Sequence, residues 1–144
     1  MKKILIVLTL AVLAAGMTSC CRTCRRAKPV EVKGVKWSLM ELRDKVIDRV
    51  QGKTPESYTL ILGDDGRIGG RGDCNTFFSG YTLEGNRIYI SGIASTRMLC
   101  PDQALEDSYF RTLESAVQIS IDGDFLILSD KDGKIVASFK KSNE

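Results

Sequence analysis

The 144-residue sequence predicts a mainly β fold of the α+β class: a small antiparallel sheet, bent or closed into a barrel, with one covering helix. Two observations predict it. Between residues 35 and 139, short apolar or alternating segments of strand length are separated by turns that contain Gly, Asp or Asn. One segment has the period of an amphipathic helix, because Leu105, Tyr109, Leu113 and Val117 recur every four residues.

The individual elements follow from local patterns along the chain. Trp37 and Leu39 lie on one face of an alternating first strand. The turn Gly63–Gly66 separates two strand-like runs and indicates a hairpin. Pro101 and Asp102 suit the first turn of the helix, where a missing N–H and a negative charge are both favoured. The predicted strands are 35–42 with a continuation over 46–50 after a bend, 58–62, 67–68, 81–83, 87–90, 117–121, 125–128 and 135–139.

The first 19 residues have the pattern of an export signal. Two lysines precede Ile4–Gly16, an uncharged and mostly apolar run that is too short for a comfortable transmembrane helix. The run leads into Met17-Thr18-Ser19-Cys20, where small residues before a cysteine resemble the lipobox of bacterial lipoproteins, although Met is less typical than Leu at its first position. We therefore expect a lipoprotein signal peptide over 1–19 and lipidation of Cys20. Cleavage by ordinary signal peptidase near Ala15 is the alternative.

Residues 20–34 are expected to form a lipidated, basic and disordered tether. The stretch 22–36 holds six Lys and Arg residues against one acid and almost no bulky apolar residue beyond valines. Such a stretch cannot bury enough surface to offset its chain entropy. Cys21-Arg22-Thr23-Cys24 spells C-x-x-C, but a redox role needs a docked helix that the sequence does not supply. A local disulfide and a second acylated cysteine remain open.

The positive charge of the chain belongs to its leader and tether. The whole chain carries +3; removing the two leader lysines and the net +5 of residues 22–36 leaves −4 for residues 37–144. A mildly acidic folded part argues against a nucleic-acid surface. A basic tether beside a lipid anchor instead suits the anionic head groups of a membrane.

The residue inventory argues against catalysis. The sequence contains no histidine, which removes Ser-His and Cys-His nucleophile pairs and the commonest transition-metal ligand. It contains neither a phosphate-binding loop nor a dinucleotide fingerprint. Asp130-Lys131-Asp132-Gly133 begins like an EF-hand loop but lacks the closing glutamate, so it is interpreted as a hairpin turn. We expect no catalytic residue, no cofactor and no bound metal.

The stretch Gly69–Tyr81, which reads G-G-R-G-D-C-N-T-F-F-S-G-Y, is the point around which the rest of the chain is organised. Its four glycines suit positions where backbones approach closely. One interpretation is a tight, buried strand corner. The other is a corner that also lines a pocket, and the residues predicted to line that pocket are Asn75, Phe77, Thr96, Arg97 and Met98.

Two blocks of sequence carry a resemblance to a known family. Gly72-Asp73-Cys74-Asn75 and Ile93–Cys100, together with Trp37-x-Leu39 before them and Glu106, Tyr109 and Leu113 after them, resemble the META domain of the HslJ-like family over residues 37–139. The resemblance implies a small barrel-like β fold with one helix over residues 35–144. It also implies a bacterial envelope protein without established enzymatic activity. Asp73 departs from the family, which more often has a neutral residue there, and this departure puts any shared ligand chemistry in doubt.

The family pattern places these two blocks side by side and so implies a disulfide between Cys74 and Cys100. If Cys20 carries lipid, four cysteines remain, an even number that suits an oxidising compartment. Two buried free thiols are the alternative.

The resemblance and the export pattern together predict a non-enzymatic lipoprotein in the cell envelope, in the outer membrane of a Gram-negative bacterium. We expect a monomer that contacts the membrane through its lipid, binds no nucleic acid, and serves envelope stress or antibiotic tolerance by binding an unknown ligand or protein. Two alternatives remain. One is a purely structural interaction module, and the other is a hydrolase or other enzyme that uses Asn75, Thr96 and Arg97. A concave, partly apolar cavity with Asn75 and Thr96 in its wall would favour ligand binding.

Lipidation at Cys20 makes a direct prediction. The Cys20→Ala variant removes the acylated atom, so it should accumulate as an unprocessed precursor or a soluble protein. Fractionation of cells expressing the variant and the wild type, followed by immunoblotting, measures this. A cleaved Cys20→Ala protein that still sediments with membranes would mean that the anchor lies elsewhere.

Overall fold

A computed structural model describes residues 32–142 of the chain. The expected signal peptide, Cys20 as the expected lipidation site, and the C-x-x-C motif lie outside the described residues. No helix within 32–142 is long and apolar enough to cross a membrane. The elements are β1 (Lys36–Leu42), β2 (Lys45–Val46), β3 (Tyr58–Leu62), β4 (Arg67–Gly72), β5 (Asn75–Glu84), β6 (Arg87–Ile90), β7 (Ala94–Ser95), α1 (Gln103–Ser115), β8 (Gln118–Asp122), β9 (Phe125–Ser129) and β10 (Ile135–Lys141), with 3₁₀ turns at Ile47–Arg49 and Pro55–Ser57.

Eight of the strands form a closed antiparallel barrel in the order β1, β3, β4, β5, β6, β8, β9, β10. Pairing of β10 with β1, at Leu39 opposite Phe139 among others, closes it. The short strands β2 and β7 pair with β1 and β5. Alternating side chains fill the interior with one hydrophobic core. The predicted fold class is confirmed. The strand continuation expected over 46–50 is instead largely the 3₁₀ turn Ile47–Arg49.

The barrel is closed least tightly between β6 and β8. One residue pair, Arg87 opposite Gln118, joins these strands. Backbone hydrogen bonds flank that pair, from Ile88 N to the Val117 carbonyl (3.2 Å) and from Ile119 N to the Asn86 carbonyl (2.9 Å). The seam between β6 and β8 is therefore short, with one residue pair and two flanking backbone hydrogen bonds between the strands.

Helix α1 packs its buried face against the barrel interior. Asp102 caps it, because its carboxylate accepts a hydrogen bond from Leu105 N at 3.1 Å. The hydroxyl of the fully buried Tyr109 donates to the Thr59 carbonyl at 3.0 Å, and burial raises the pKa of Tyr109 well above its ordinary value. The helix ends at Ser115, so Val117, which fits its periodicity, lies outside it.

The Gly-rich stretch is a strand corner. Its first four residues end β4, and β5 starts at Asn75 after the two-residue turn Asp73–Cys74. A Cβ on Gly70 would overlap the backbone carbonyl of Thr59 on the neighbouring strand. A Cβ on Gly72 would lie 2.8 Å from the ring of Phe110. The glycines therefore allow the close approach of β3 and α1 to β4.

The folded unit starts earlier than the sequence predicted. Val32 is buried in the core, and its carbonyl accepts a hydrogen bond from Trp37 Nε1 at 3.3 Å. Gly34 N donates to the Leu62 carbonyl at 2.8 Å, beside a bridge between Lys33 and Leu62. Residues 32–34, which the sequence analysis assigned to the tether, thus pack on the barrel before the expected domain start at residue 35.

The glycine analysis predicts that Gly70→Ala destabilises the protein by about 3 kcal/mol, because neither neighbouring backbone can move away without breaking the ladder. Gly92→Ala is the matched control, since a Cβ there meets no atom within 4 Å. It should change stability by less than about 0.5 kcal/mol. Urea unfolding of the two variants measures the difference. Similar midpoints for both would contradict the close approach at Gly70.

Candidate functional site

Asn75, the first residue of β5, is buried and hydrogen-bonded at both ends of its amide. Its Oδ1 accepts from Thr96 Oγ1 (2.8 Å) and Met98 N (2.7 Å). Its Nδ2 donates to Glu106 Oε2 (2.6 Å) and to the Met98 carbonyl (3.1 Å). One side chain therefore joins β5, the segment 96–98 and helix α1. We call this set of hydrogen bonds the Asn75 network.

Glu106 is the acidic member of the network and is fully buried. Its Oε1 accepts from Asn75 N at 3.0 Å, and its Oε2 accepts from Asn75 Nδ2 and from Gln103 Nε2 at 3.3 Å. None of the ion pairs found among residues 32–142 involves it. A buried carboxylate without a cation depends on such donors.

Sequence reasoning did not include Glu106 among the site residues. The available signal was a carboxylate directly beside the buried helical stripe that contains Leu105, Tyr109 and Leu113. A charge at such a position needs an internal partner.

The predicted disulfide between Cys74 and Cys100 is present, with Cα atoms 5.9 Å apart. That separation is ordinary for a disulfide. The bond joins residues 26 apart in sequence, and its chain-entropy stabilisation is on the order of 3–4 kcal/mol. Both sulfur atoms lie within 4.8 Å of the Glu106 carboxylate. In the disulfide neither sulfur is a thiolate, so this trio does not form a thiolate metal site.

A cavity of about 410 Å³ opens beside the network. Four of the five predicted residues line it, namely Asn75, Thr96, Arg97 and Met98. The other lining residues are Ser95, Leu99, Gln103, Glu106, Asp107 and Phe110.

Phe77 was predicted to line the pocket but does not line this cavity. It is a buried core residue whose ring lies 5.9 Å from that of Tyr109 and 5.3 Å from that of Phe110. Asn75 and Phe77 are two residues apart on β5, so both point inward. At Asn75 the inward face borders the cavity, whereas at Phe77 it borders the hydrophobic core.

The polar atoms of the cavity wall are used within the protein. Thr96 Oγ1 accepts from Thr76 N at 3.2 Å and donates to Asn75. The side chains at the rim, in contrast, face solvent. Met98 is 56% exposed and Leu99 is 99% exposed, next to the exposed Arg97. An incoming molecule would therefore meet an apolar pair and a guanidinium rather than the Asn75 amide.

Asp73, the departure from the family pattern, belongs to the turn and does not line the cavity. Its φ of 50° is left-handed, a conformation that Asp tolerates. Its carboxylate forms an ion pair with Lys53, both side chains being largely buried, and its carbonyl accepts from Arg71 Nε at 2.8 Å. This pair holds the 50–57 segment against the corner.

The hydroxyl of Tyr58 lies buried nearby and has no hydrogen-bond partner among the described residues. Burial raises the pKa of Tyr58, and the negative charge of Asp73 adds to the effect.

Comparison with known proteins identifies the fold. The model of the META domain family matches residues 30–143. A protein solved by NMR is 21% identical at a TM-score of 0.59, covering 78% of this chain and 93% of the other. An NMR structure of a protein from Burkholderia xenovorans is 20% identical at a TM-score of 0.60, and the match covers 78% of this chain and 85% of the other. A crystal structure of a DUF4847 family protein from Bacteroides vulgatus is 12% identical at a TM-score of 0.55, and the match covers 79% of this chain and 96% of the other. No curated protein matches the chain.

The Asn75 network predicts that Asn75→Ala destabilises the protein by about 3–5 kcal/mol, because Glu106 stays buried while it loses a donor. Asn86→Ala is the control, since Asn86 is exposed in the β5–β6 turn and bonds through its backbone carbonyl. We expect a change below about 0.5 kcal/mol for the control. Thermal unfolding followed by circular dichroism compares them. An Asn75→Ala protein as stable as the control would show that the network is dispensable.

Proposed function

The chain belongs to the META domain family, and we propose that it is a non-enzymatic cell-envelope protein that binds a ligand or protein partner at the cavity beside Met98 and Leu99. One observation carries the proposal: two large apolar side chains are exposed, at 56% and 99%, on a segment that is fixed on both sides. Exposed apolar groups held in one place are typical of interaction sites.

The fixation of this segment lowers the cost of binding. Both backbone groups of Met98 are hydrogen-bonded to Asn75, and Cys100 is bonded to Cys74. A partner that contacts Met98 and Leu99 would therefore order little additional chain. The flexible thioether of Met98 can still adapt to the shape of a partner.

The cavity itself is suited to a small ligand or to one side chain of a partner. Its volume of about 410 Å³ lies in the range of ligand pockets. Phe110 and Met98 provide apolar wall, while Arg97, Gln103 and Asp107 provide polar groups at the edge. A ligand with an apolar body and a polar or charged end fits this combination.

The geometry favours binding over catalysis. An enzyme using Asn75, Thr96 and Arg97 would need a free nucleophile or base among them. The Thr96 hydroxyl already donates to Asn75 Oδ1, and the Asn75 amide is hydrogen-bonded at both ends. A general base would also have to be something other than histidine, which the sequence lacks. These observations support the non-enzymatic proposal over the enzymatic alternative.

We further propose that the protein is a lipoprotein anchored through Cys20 in the outer membrane of a Gram-negative bacterium, acting in envelope stress or antibiotic tolerance. The lipobox-like sequence supports the anchor, and the disulfide suits an oxidising compartment. The chain enters the barrel beside Leu62, at the C-terminal end of β3. Asn75 lies near its other end, where Gly72 pairs with both Asn75 and Tyr58. Residues 33–34 and the cavity thus lie at opposite ends of β3, about 13 Å apart at a rise of about 3.3 Å per residue.

The exposed apolar pair gives the test of this function. In a deletion strain, Leu99→Asp should fail to restore survival under detergent or antibiotic stress, because a charge at the rim opposes apolar contact. Ile135→Asp, at a 54% exposed apolar residue of β10, is the matched control and should restore it. Immunoblots verify equal amounts of all variants. Full restoration by Leu99→Asp would refute a binding role for the rim and favour the purely structural alternative.

A further inference from the structure

A second concave surface lies on the outer face of β5, β6 and β8, at the short seam between β6 and β8. It encloses about 460 Å³. It shares no lining residue with the cavity beside Asn75. We call it the seam groove.

Three polar side chains form a row across this groove. Glu84 on β5 is paired directly with Arg87 on β6, and Arg87 is paired with Gln118 on β8. All three are exposed, so they stand on the outer face of the barrel. Neighbouring strands are about 4.8 Å apart, so the backbone positions that carry the carboxylate, the guanidinium and the amide follow one another at about that spacing.

An exposed aromatic ring stands one step from this row. Tyr89 follows Arg87 on the same face of β6, lies opposite Thr82, and is 67% exposed. Val117 and Ile88 also line the groove, and the Ile88 N–H donates to the Val117 carbonyl beside the single β6–β8 pair. The groove therefore combines a flat ring, an apolar base and a row of planar hydrogen-bonding groups.

The charges of the groove balance one another. Glu84 offsets Arg87 across the strand pair, and the ammonium of Lys131 at the edge is 2.8 Å from the Asp132 carboxylate. A nucleic acid or an anionic head group would find no excess of positive charge there. An acyl chain would find too little apolar surface. The favoured ligand is neutral, carries many hydroxyl groups and has one apolar face.

We propose that the seam groove binds a neutral oligosaccharide, with one sugar ring stacked on Tyr89 and its hydroxyl groups hydrogen-bonded to Glu84, Arg87 and Gln118. The C–H face of a sugar ring matches an aromatic face, and its hydroxyl groups both donate and accept. Carboxylate, guanidinium and amide groups supply the complementary acceptors and donors. The volume of the groove lies in the range of ligand pockets.

Two sources could present this chemistry, the N-acetylated glycan strands of a cell wall and a polysaccharide without acetamido groups. Isothermal titration calorimetry of the full chain in detergent with an N-acetylglucosamine tetramer and with maltotetraose distinguishes them. Binding of the first alone assigns the groove to cell-wall glycan, and binding of the second alone to other polysaccharide. Binding of both indicates recognition of the ring itself. Each of these outcomes supports the proposal if Tyr89 is required.

The requirement for Tyr89 is tested with matched variants. Tyr89→Ala should weaken binding about tenfold, the effect expected from loss of one stacked ring. Tyr89→Phe and Phe78→Ala should bind within about twofold of the wild type, because the first keeps the ring and the second removes a ring that does not line the groove. Phe78 is 69% exposed and so matches Tyr89 in burial.

A second pair of variants keeps the proposal falsifiable. If Tyr89→Ala does not fold, Glu84→Ala combined with Gln118→Ala removes two of the three hydrogen-bonding side chains of the row instead and should weaken binding by at least about tenfold. Leu99→Asp should leave oligosaccharide binding unchanged, so failure of the rim and failure of the groove are distinguishable. Absence of binding by both sugars, or equal binding by Tyr89→Ala and wild type, would overturn the proposal.

Discussion

The hydrogen bonds between Asn75 and Glu106 are the interaction on which the rest of the structure depends. A fully buried carboxylate is costly unless donors surround it. Asn75 supplies two of them, one from its backbone and one from its side chain. The same amide holds Met98 through both of its backbone groups, so helix α1, the start of β5 and the segment 96–98 are fixed relative to one another. The Cys74–Cys100 disulfide adds a covalent link at the same place.

This constraint separates the residues that stabilise the fold from those that face the proposed partner. The Asn75 amide is engaged inside the protein, so turning it toward a bound molecule would leave the buried Glu106 carboxylate with one donor fewer. What the network leaves free is the outer side of the segment that it holds, where Met98 and Leu99 face solvent. The network acts as a rigid scaffold for the segment 96–98. Its internal hydrogen bonds maintain the shape of the surface that this segment presents.

The sequence was informative where a pattern is local and uninformative where a partner is distant. Alternation and turn chemistry predicted most strands, and helix α1 was predicted by its four-residue period. Val117 fits that period, yet its N–H bonds to the Ser129 carbonyl at 2.9 Å, and this tertiary pairing ends the helix earlier.

The site was predicted less completely than the fold. The disulfide was predicted through the family resemblance and four of the five predicted pocket residues line the cavity, whereas Phe77 lies in the core. Local sequence does not reveal that the strand turns from cavity to core between Asn75 and Phe77. Glu106 was missed as a site residue because its partner is 31 positions away. The barrel order that brings them together depends on long-range pairing, which no local pattern contains. The ion pair between Asp73 and Lys53 was not predicted for the same reason, because its two residues are 20 positions apart in the sequence.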